Sequence, residues 1–294
     1  MKQYLIPEVL SKIKGLDLKA RLVVEGFLSG LHRSPYYGFS VEFADYRPYT
    51  PGDEIRRIDW KTYGRTDRYY IKEFEEETNL RAYILLDKSG SMSYRTGAIS
   101  KYEYGQTLAA SLAFLLIRQR DSVGLITFDE KLVEFVPPSA RRSHIQTLLG
   151  CIDRSLPGGE TDLGKTFFQL AERIKRRGLV IVISDLFDEP ARIIRGLKSF
   201  RYRKHEIIVF QILDPQEWEF AFKNPARFVD LETRQELPID PVALKESYKK
   251  RIREFVQTYE HSLREARIDY ELIFTNIPFD RALLKFLARR EKMF

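Results

Sequence analysis

The chain has 294 residues, 44% of them hydrophobic, so it can form one large globular domain or two small ones. Its net charge of +7 comes from 49 basic residues interspersed with 42 acidic ones, without a basic arm, zinc finger or aromatic RNA-binding signature that would indicate nucleic acid. The single cysteine excludes an internal disulfide, no apolar stretch reaches the roughly 20 residues of a membrane span, and no secretion signal opens the chain, which together predict a cytoplasmic protein.

The first 80 residues differ in texture from the rest and are predicted to form an N-terminal arm. Residues 7–16 and 17–27 are predicted to be short helices, the first with proline in its opening turn. The sequence Thr-Pro-Gly-Asp at 50–53 favours a tight turn, because proline presets φ at the second position and glycine tolerates positive φ at the third. Asp53 can then cap a short helix that reaches Trp60.

Residues 81–294 alternate apolar strands with amphipathic helices, which predicts a doubly wound, mostly parallel α/β sheet of Rossmann type. The predicted strands are 81–86, 122–128, 132–136, 179–184, 206–213 and 268–274, and the predicted helices are 100–119, 143–152, one from 163, one from 190 and one over 280–289. Between about 214 and 267 the alternation is interrupted by a polar hairpin and a long helix, which we interpret as an insertion.

Three oxygen-bearing side chains follow the first predicted strand at every second position: Asp87, Ser89 and Ser91. Ligands bind beyond the carboxyl ends of the strands in an open α/β sheet, so this turn lies where sites are made. Side chains spaced in this way can converge on one hard cation. Aspartate and serine are also common in turns for ordinary hydrogen-bonding reasons, so the triplet alone is weak support.

The Asp-x-Ser-x-Ser turn after an apolar strand resembles the metal-ion-dependent adhesion site of von Willebrand factor A domains. That resemblance implies two more ligands: a threonine from a later loop, here Thr161, and an aspartate at a later strand end, here Asp185. The expected cofactor is Mg2+, or Mn2+ or Ca2+, held by hydroxyls, with the aspartates binding directly or through water. An Asp or Glu of a partner protein is expected to fill the open position.

A second resemblance covers nearly the whole chain. Phe43-Ala-Asp-Tyr-Arg-Pro-Tyr49, Pro51-Gly-Asp53 and Arg57-Ile-Asp-Trp60, followed by the metal-type loop, resemble the family known as domain of unknown function fifty-eight. The resemblance implies action beside a MoxR-type AAA+ ATPase in chaperone-like assembly or maturation of other proteins. It therefore predicts a protein-interaction adaptor and not an enzyme. Many relatives carry membrane helices ahead of the arm, and no such helix is predicted here.

Two alternatives stay open. Residues 159–166, Gly-Glu-Thr-Asp-Leu-Gly-Lys-Thr, satisfy the P-loop pattern of nucleotide hydrolases letter for letter. A P-loop needs a buried strand leading into its first glycine, and residues 153–157 are poor strand formers. The other alternative is a structural interaction protein without a metal, in which the arm or the basic face of the long helix makes the contacts.

Overall fold

The computed structural model describes residues 6–31, 46–49, 60, 63–64, 67–72, 80–129, 132–158, 162–222, 224, 226–229, 231 and 235–290. The chain divides into two compact units, one formed by Met1–Ser29 with Leu80–Phe294 and the other by Gly30–Asn79. The first helices therefore belong with the sheet-bearing part of the chain, whereas the predicted arm grouped them with residues 30–79. The predicted turn at 50–53 and the start of the helix after it lie outside the described residues.

The described helices are α1 Pro7–Ser11, α2 Leu16–Leu31, α3 Lys101–Arg118, α4 His144–Arg154, α5 Leu163–Arg173, α6 Pro190–Tyr202, α7 Pro215–Glu219, α8 Pro241–Glu265 and α9 Phe279–Arg290, with a 3-10 turn over Gly90–Ser93. The described strands are β1 Tyr46–Pro48, β2 Tyr70–Lys72, β3 Arg81–Asp87, β4 Ser122–Phe128, β5 Leu132–Ser139, β6 Leu179–Ser184, β7 Glu206–Leu213, β8 Ala226–Val229, β9 Glu236–Ile239 and β10 Asp269–Phe274. Within the described residues, no helix combines the length and apolar character needed to cross a bilayer.

Six of the described strands form one sheet in the order β10-β7-β6-β3-β4-β5. Neighbouring strands are parallel except for the edge strand β5, which runs antiparallel to β4. The chain thus starts at β3 near the middle, winds to one edge and then returns to build the other. The prediction of a doubly wound, mostly parallel α/β fold is confirmed.

The two faces of the sheet are covered by different helices, as the side-chain alternation of a strand requires. Tyr83 and Leu85 of β3 belong to a buried cluster that includes residues of α5, α6 and α8. The side chain of Leu86 points to the opposite face, where it packs close to Gly105 of α3; a Cβ at Gly105 would lie 3.2 Å from Cδ1 of Leu86. Tyr104 of α3 stacks on Phe279 of α9, with ring centroids 4.3 Å apart. Burial on both faces explains why β3 is an unbroken apolar run.

The segment between β7 and β10 contains the predicted hairpin and long helix. β8 and β9 pair antiparallel, and α8 follows directly. The ring of Phe220 stacks on Tyr248 of α8 at 4.3 Å and on Phe228 of the hairpin at 5.9 Å between centroids. Aromatic stacking therefore attaches the hairpin to α8, since an isolated two-stranded hairpin is marginal in water.

The unit formed by Gly30–Asn79 is described in part. β1 and β2 pair antiparallel, and the backbone N–H of Tyr49 donates to the carbonyl of Tyr69 at 2.9 Å. The ring of Tyr63 stacks on Tyr69 with centroids 4.5 Å apart, and Trp60 meets Tyr63 edge-on. Tyrosines and a tryptophan that the sequence placed in the arm thus form a small aromatic group inside this unit.

The first helix is shorter than predicted. It ends at Ser11, and α2 begins at Leu16, which the prediction assigned to the first helix. Gly15 between them has a φ of +88°. This left-handed conformation is available to glycine at little cost and interrupts a helix, so the break precedes Leu16.

Helices α5 and α6 cross at two glycines. A Cβ on Gly164 would lie 2.6 Å from the Cβ of Arg192, and one on Gly196 would lie 2.9 Å from the carbonyl oxygen of Gly164. Separations below about 3 Å are repulsive, so any larger residue forces the helices apart. Close helix packing is the structural reason for glycine at both positions.

We expect Gly164→Ala to lower the free energy of unfolding by about 1–3 kcal/mol, the usual cost of overpacking. Gly97→Ala is the matched control, because a Cβ there meets no atom within 4 Å. Its effect should stay within about 0.5 kcal/mol. Chemical denaturation of both variants measures the difference, and equal stabilities would show that the helices separate without cost.

Candidate functional site

Asp87 ends β3 in the middle of the sheet and has no solvent exposure. Its Oδ1 accepts the backbone N–H of Ser89 at 2.8 Å, and its Oδ2 accepts the hydroxyl of Ser184 at 2.5 Å. The bond from Ser89 turns the chain sharply out of the strand. The bond from Ser184 ties the ends of β3 and β6 together, because the parallel register sets Leu86 opposite Ile183.

The two predicted serines lie next to each other in the turn that follows Asp87. The Oγ atoms of Ser89 and Ser91 lie 3.0 Å apart and share a hydrogen bond. Ser91 lies in the 3-10 turn that continues the loop, and Ser89 is the residue before it. The Asp87, Ser89 and Ser91 side chains are therefore brought together at the carboxyl end of the sheet.

Asp185 follows β6, the strand beside β3, and is 1% exposed. Its Oδ1 accepts the backbone N–H of Phe187 at 3.1 Å, and its carbonyl accepts the side-chain amide of Gln211 at 2.7 Å. Leu186 has a φ of +59°, a conformation that costs a non-glycine residue roughly 1–2 kcal/mol. Tyr259 stabilises this turn by donating its hydroxyl to the carbonyl of Leu186 at 3.1 Å.

Lys101, the first residue of α3, reaches into the same region and is completely buried. Its ammonium lies 2.7 Å from Asp185 Oδ2 and 2.6 Å from Glu217 Oε1. The ammonium also lies over the ring of Phe187, 4.6 Å from the centroid. One predicted site residue, Asp185, is therefore already paired with a cation of the chain itself.

Burial shifts the proton affinities of this cluster. Loss of water, reinforced by the negative charge of Asp185, raises the pKa of Asp87 to about 7. Burial likewise raises the pKa of Glu217 to about 7, although Lys101 opposes this. Burial alone would lower the pKa of Lys101, but Asp185 and Glu217 outweigh it and raise that pKa. Burial therefore disfavours the ionised forms of Asp87 and Glu217.

Thr161 lies outside the described residues, but both flanks of residues 159–161 are attached near the site. The backbone N–H of Gly158 donates to the carbonyl of Lys88 at 2.8 Å, between Asp87 and Ser89. The backbone N–H of Leu163 donates to Asp188 Oδ2 at 2.9 Å, in the loop after β6. The described residues Gly158 and Leu163, which flank the segment that carries Thr161, are therefore each hydrogen-bonded to a loop of the site.

The P-loop alternative lacks its supporting strand. Helix α4 ends at Arg154, and residues 155–158 are in no strand. Gly164 is accounted for by helix packing, and Lys165 is exposed on α5. A phosphate-binding loop needs a rigid strand-to-helix turn, which the described part of the segment does not provide.

Lys101 and Glu217 were missed in the sequence. Lys101 opens an amphipathic helix, where a lysine usually lies in solvent. Glu217 follows the carboxyl end of β7, in a capping box with Asp214, and position beyond a parallel strand is the signal that could have identified it. No comparable signal marks Lys101.

The donor set agrees with a small hard cation. Among the described residues, no three His, Cys, Asp or Glu side chains are placed to hold a metal. The available donors are hydroxyl oxygens and Asp87, which suit Mg2+ or Mn2+ better than a soft metal. A divalent cation at Ser89 and Ser91 would also stabilise ionised Asp87. Ser89, Ser91 and Asp87 therefore fit a divalent metal, whereas one carboxylate oxygen of Asp185 is already paired with Lys101.

A model of the family described as "Protein of unknown function DUF58" matches residues 45–258, more than half of the chain. The chain belongs to the DUF58 family. Uncharacterized proteins of Mycobacterium tuberculosis and Mycobacterium bovis are each 27% identical to it over 247 residues, covering 82% of this chain and 77% of each relative. The family signature spans both the 30–79 unit and the sheet-bearing unit.

Solved structures with related architecture have low sequence identity to this DUF58 protein. BatB from Bacteroides thetaiotaomicron is 14% identical with a TM-score of 0.49, covering 72% of this chain and 99% of that chain. The SpRpn10 VWA domain is 12% identical with a TM-score of 0.42, covering 70% and 94%. Both TM-scores lie below 0.5, so the fold assignment rests on the strand order and connections described above.

The raised pKa of Asp87 predicts a pH-dependent stability of the DUF58 protein in chelator. Between the ordinary aspartate pKa of 3.8 and about 7, the folded protein holds a proton that the unfolded chain has released, so stability falls as pH rises through this window. Asp87→Asn removes this ionisation. The free energy of unfolding of Asp87→Asn, relative to wild type, should therefore increase by at most about 4 kcal/mol between pH 4 and pH 7. Above pH 7 the difference should level off.

Denaturation curves from pH 4 to pH 8 measure this difference. Glu217→Gln is a parallel case, because burial also raises the pKa of Glu217 to about 7, so the free energy of unfolding of this variant relative to wild type should rise over the same pH window. A difference between Asp87→Asn and wild type that does not change with pH would contradict the assignment.

Proposed function

We propose that this DUF58 protein is a divalent-metal-dependent protein-interaction module. The observation that carries the proposal is the pair of serine hydroxyls 3.0 Å apart in the turn that follows the buried Asp87, at the carboxyl end of β3. Ser89 and Ser91 would hold Mg2+ or Mn2+ with Thr161, while Asp87 and Asp185 bind it directly or through water. Ca2+ is a further candidate, although it prefers more ligands.

The proposed ligand set explains why a partner is needed. Neutral hydroxyls leave most of the positive charge of the cation uncompensated, and an octahedral ion retains positions for water. A carboxylate from another protein can replace one of these waters, with the metal as the bridge. Metal binding and partner binding would then strengthen each other, because each stabilises the state that the other requires.

The proposed partner is a MoxR-type AAA+ ATPase or a client that it acts on. Support for this comes from the resemblance of the chain to its family, and the metal site supplies a means of attachment. The chain would serve as an adaptor in chaperone-like assembly or maturation of other proteins. In this proposal the chain binds a partner and does not catalyse a reaction, and the role of the site is to recruit a carboxylate from another protein.

Calorimetric titration of chelator-treated protein with Mg2+ and Mn2+ tests the metal. We expect binding in the wild type and none in Asp87→Ala, whose fold is checked by circular dichroism. Capture of a MoxR-type ATPase should then require the metal and Asp87. Capture that is unchanged in chelator would overturn the proposal, and ATP binding lost on Lys165→Ala would favour the nucleotide alternative.

Thr161→Ala tests the ligand that lies outside the described residues. Loss of one of three hydroxyl ligands should weaken Mn2+ binding by roughly tenfold to a hundredfold. Thr258→Ala is the matched control, because that hydroxyl is on α8 and donates to the carbonyl of Glu254. Equal Mn2+ affinity in the two variants would show that Thr161 is not a ligand of the metal.

A further inference from the structure

Lys101 lies in an unusual electrostatic position. It opens α3, where the positive end of the helix dipole disfavours a cation, and its side chain is completely buried. An unpaired ammonium in such a place would be very unfavourable, so its two carboxylate contacts are needed to keep it charged there. Asp185 and Glu217 supply them at 2.7 and 2.6 Å.

Both carboxylate oxygens of Asp185 already accept a hydrogen bond. Oδ2 of Asp185 accepts from the ammonium of Lys101, and Oδ1 accepts from the backbone N–H of Phe187. Asp87 differs, because its two oxygens accept from neutral groups, the backbone N–H of Ser89 and the hydroxyl of Ser184. Of the two aspartates, only Asp185 is paired with a positive charge in the described part of the chain.

We propose that Lys101 is a positioning residue that withholds Asp185 from direct coordination, so that the bound cation keeps an additional water position that an outside carboxylate can take. This inference rests on the proposed function, and it assigns to Lys101 the control of how open that metal site is. The lysine acts through the oxygen of Asp185 that it occupies.

The charge balance supports this role. The ammonium of Lys101 contacts two carboxylates, Asp185 and Glu217, and Asp87 adds a third carboxylate at the end of the neighbouring strand, which leaves two negative charges when all are ionised. One divalent cation balances them and leaves a neutral site. Without Lys101 the region would carry one more uncompensated negative charge, and a freed Asp185 would compete with water for the metal. The site would then bind metal more tightly and repel a further carboxylate.

The test compares two variants that both remove the ion pair between Lys101 and Glu217. Only one of them also removes the pair between Lys101 and Asp185. Lys101→Met removes the positive charge with little change in length, whereas Glu217→Gln removes a negative charge and leaves the pair between Lys101 and Asp185 in place. Mn2+ affinity is measured by calorimetry on the full chain. The number of water molecules on bound Mn2+ is measured by water-proton relaxation.

We expect Lys101→Met to bind Mn2+ roughly 10–100-fold more tightly than wild type, with a smaller relaxation enhancement per bound ion, because Asp185 replaces water. Glu217→Gln should bind equally or more weakly, with the wild-type relaxation enhancement. A purely structural role for Lys101 predicts instead that both variants lose stability and change Mn2+ affinity in the same direction. Lys101→Arg, which keeps the charge, should restore the wild-type affinity.

The outcomes separate this inference from the metal proposal. Mn2+ binding by wild type that is not tightened in Lys101→Met overturns the role of Lys101 and leaves the metal site standing. Binding only in Lys101→Met overturns metal dependence of the natural protein while supporting the role of Lys101, and binding in neither overturns both. If Lys101→Met does not fold, Lys101→Met with Glu217→Gln replaces it, and must bind more tightly than Glu217→Gln alone.

Discussion

Two carboxylates at the ends of adjacent buried strands dominate the structure around the site. Asp87 and Asp185 follow β3 and β6, and both are shielded from water. Their mutual repulsion and lost hydration must be offset locally, because a buried charge without a partner would cost more than a domain of this size can tolerate. Hydrogen bonds stabilise Asp87, and the ammonium of Lys101 stabilises Asp185.

The offsetting groups are themselves held by the ends of helices. Lys101 stands at the start of α3, which a capping box between Ser100 and Glu103 fixes. Glu217 stands in α7, and its Oε2 accepts the backbone N–H of Asp214 at 2.8 Å. Asp214 in turn accepts the backbone N–H of Thr96 at 2.9 Å, so the loop before α3 is attached to the end of β7. The ion pair therefore joins parts of the fold that are already fixed, which reduces the entropy lost in forming it.

Most of the sheet could be predicted because apolar runs without alternation are typical of strands buried on both faces. The strands predicted over 122–128, 179–184 and 206–213 have the observed bounds. The resemblance to the adhesion site implied that Asp87 and Asp185 lie close together, and the neighbouring parallel strands β3 and β6 bring their ends to one edge. Lys101 could not be predicted, because a lysine in a helix is normally solvated and only the tertiary fold shows that this one is enclosed. The break at Gly15 depended on one backbone angle, which composition does not determine.

The same short sequence motif can occur in two different folds. The element that precedes the motif and the elements that pack against it decide which fold is present. In a P-loop, Gly164 would let the backbone approach a phosphate, whereas here it lets α5 approach α6, with Gly196 facing it. The loop before Thr161 is held by Lys88 and follows a helix instead of a strand. The same short stretch thus contains the proposed ligand Thr161 and, three residues later, a glycine at a helix contact. A phosphate-binding loop and a close helix crossing both need a backbone to come close, so glycine at position 164 satisfies a nucleotide-binding pattern while it serves helix packing.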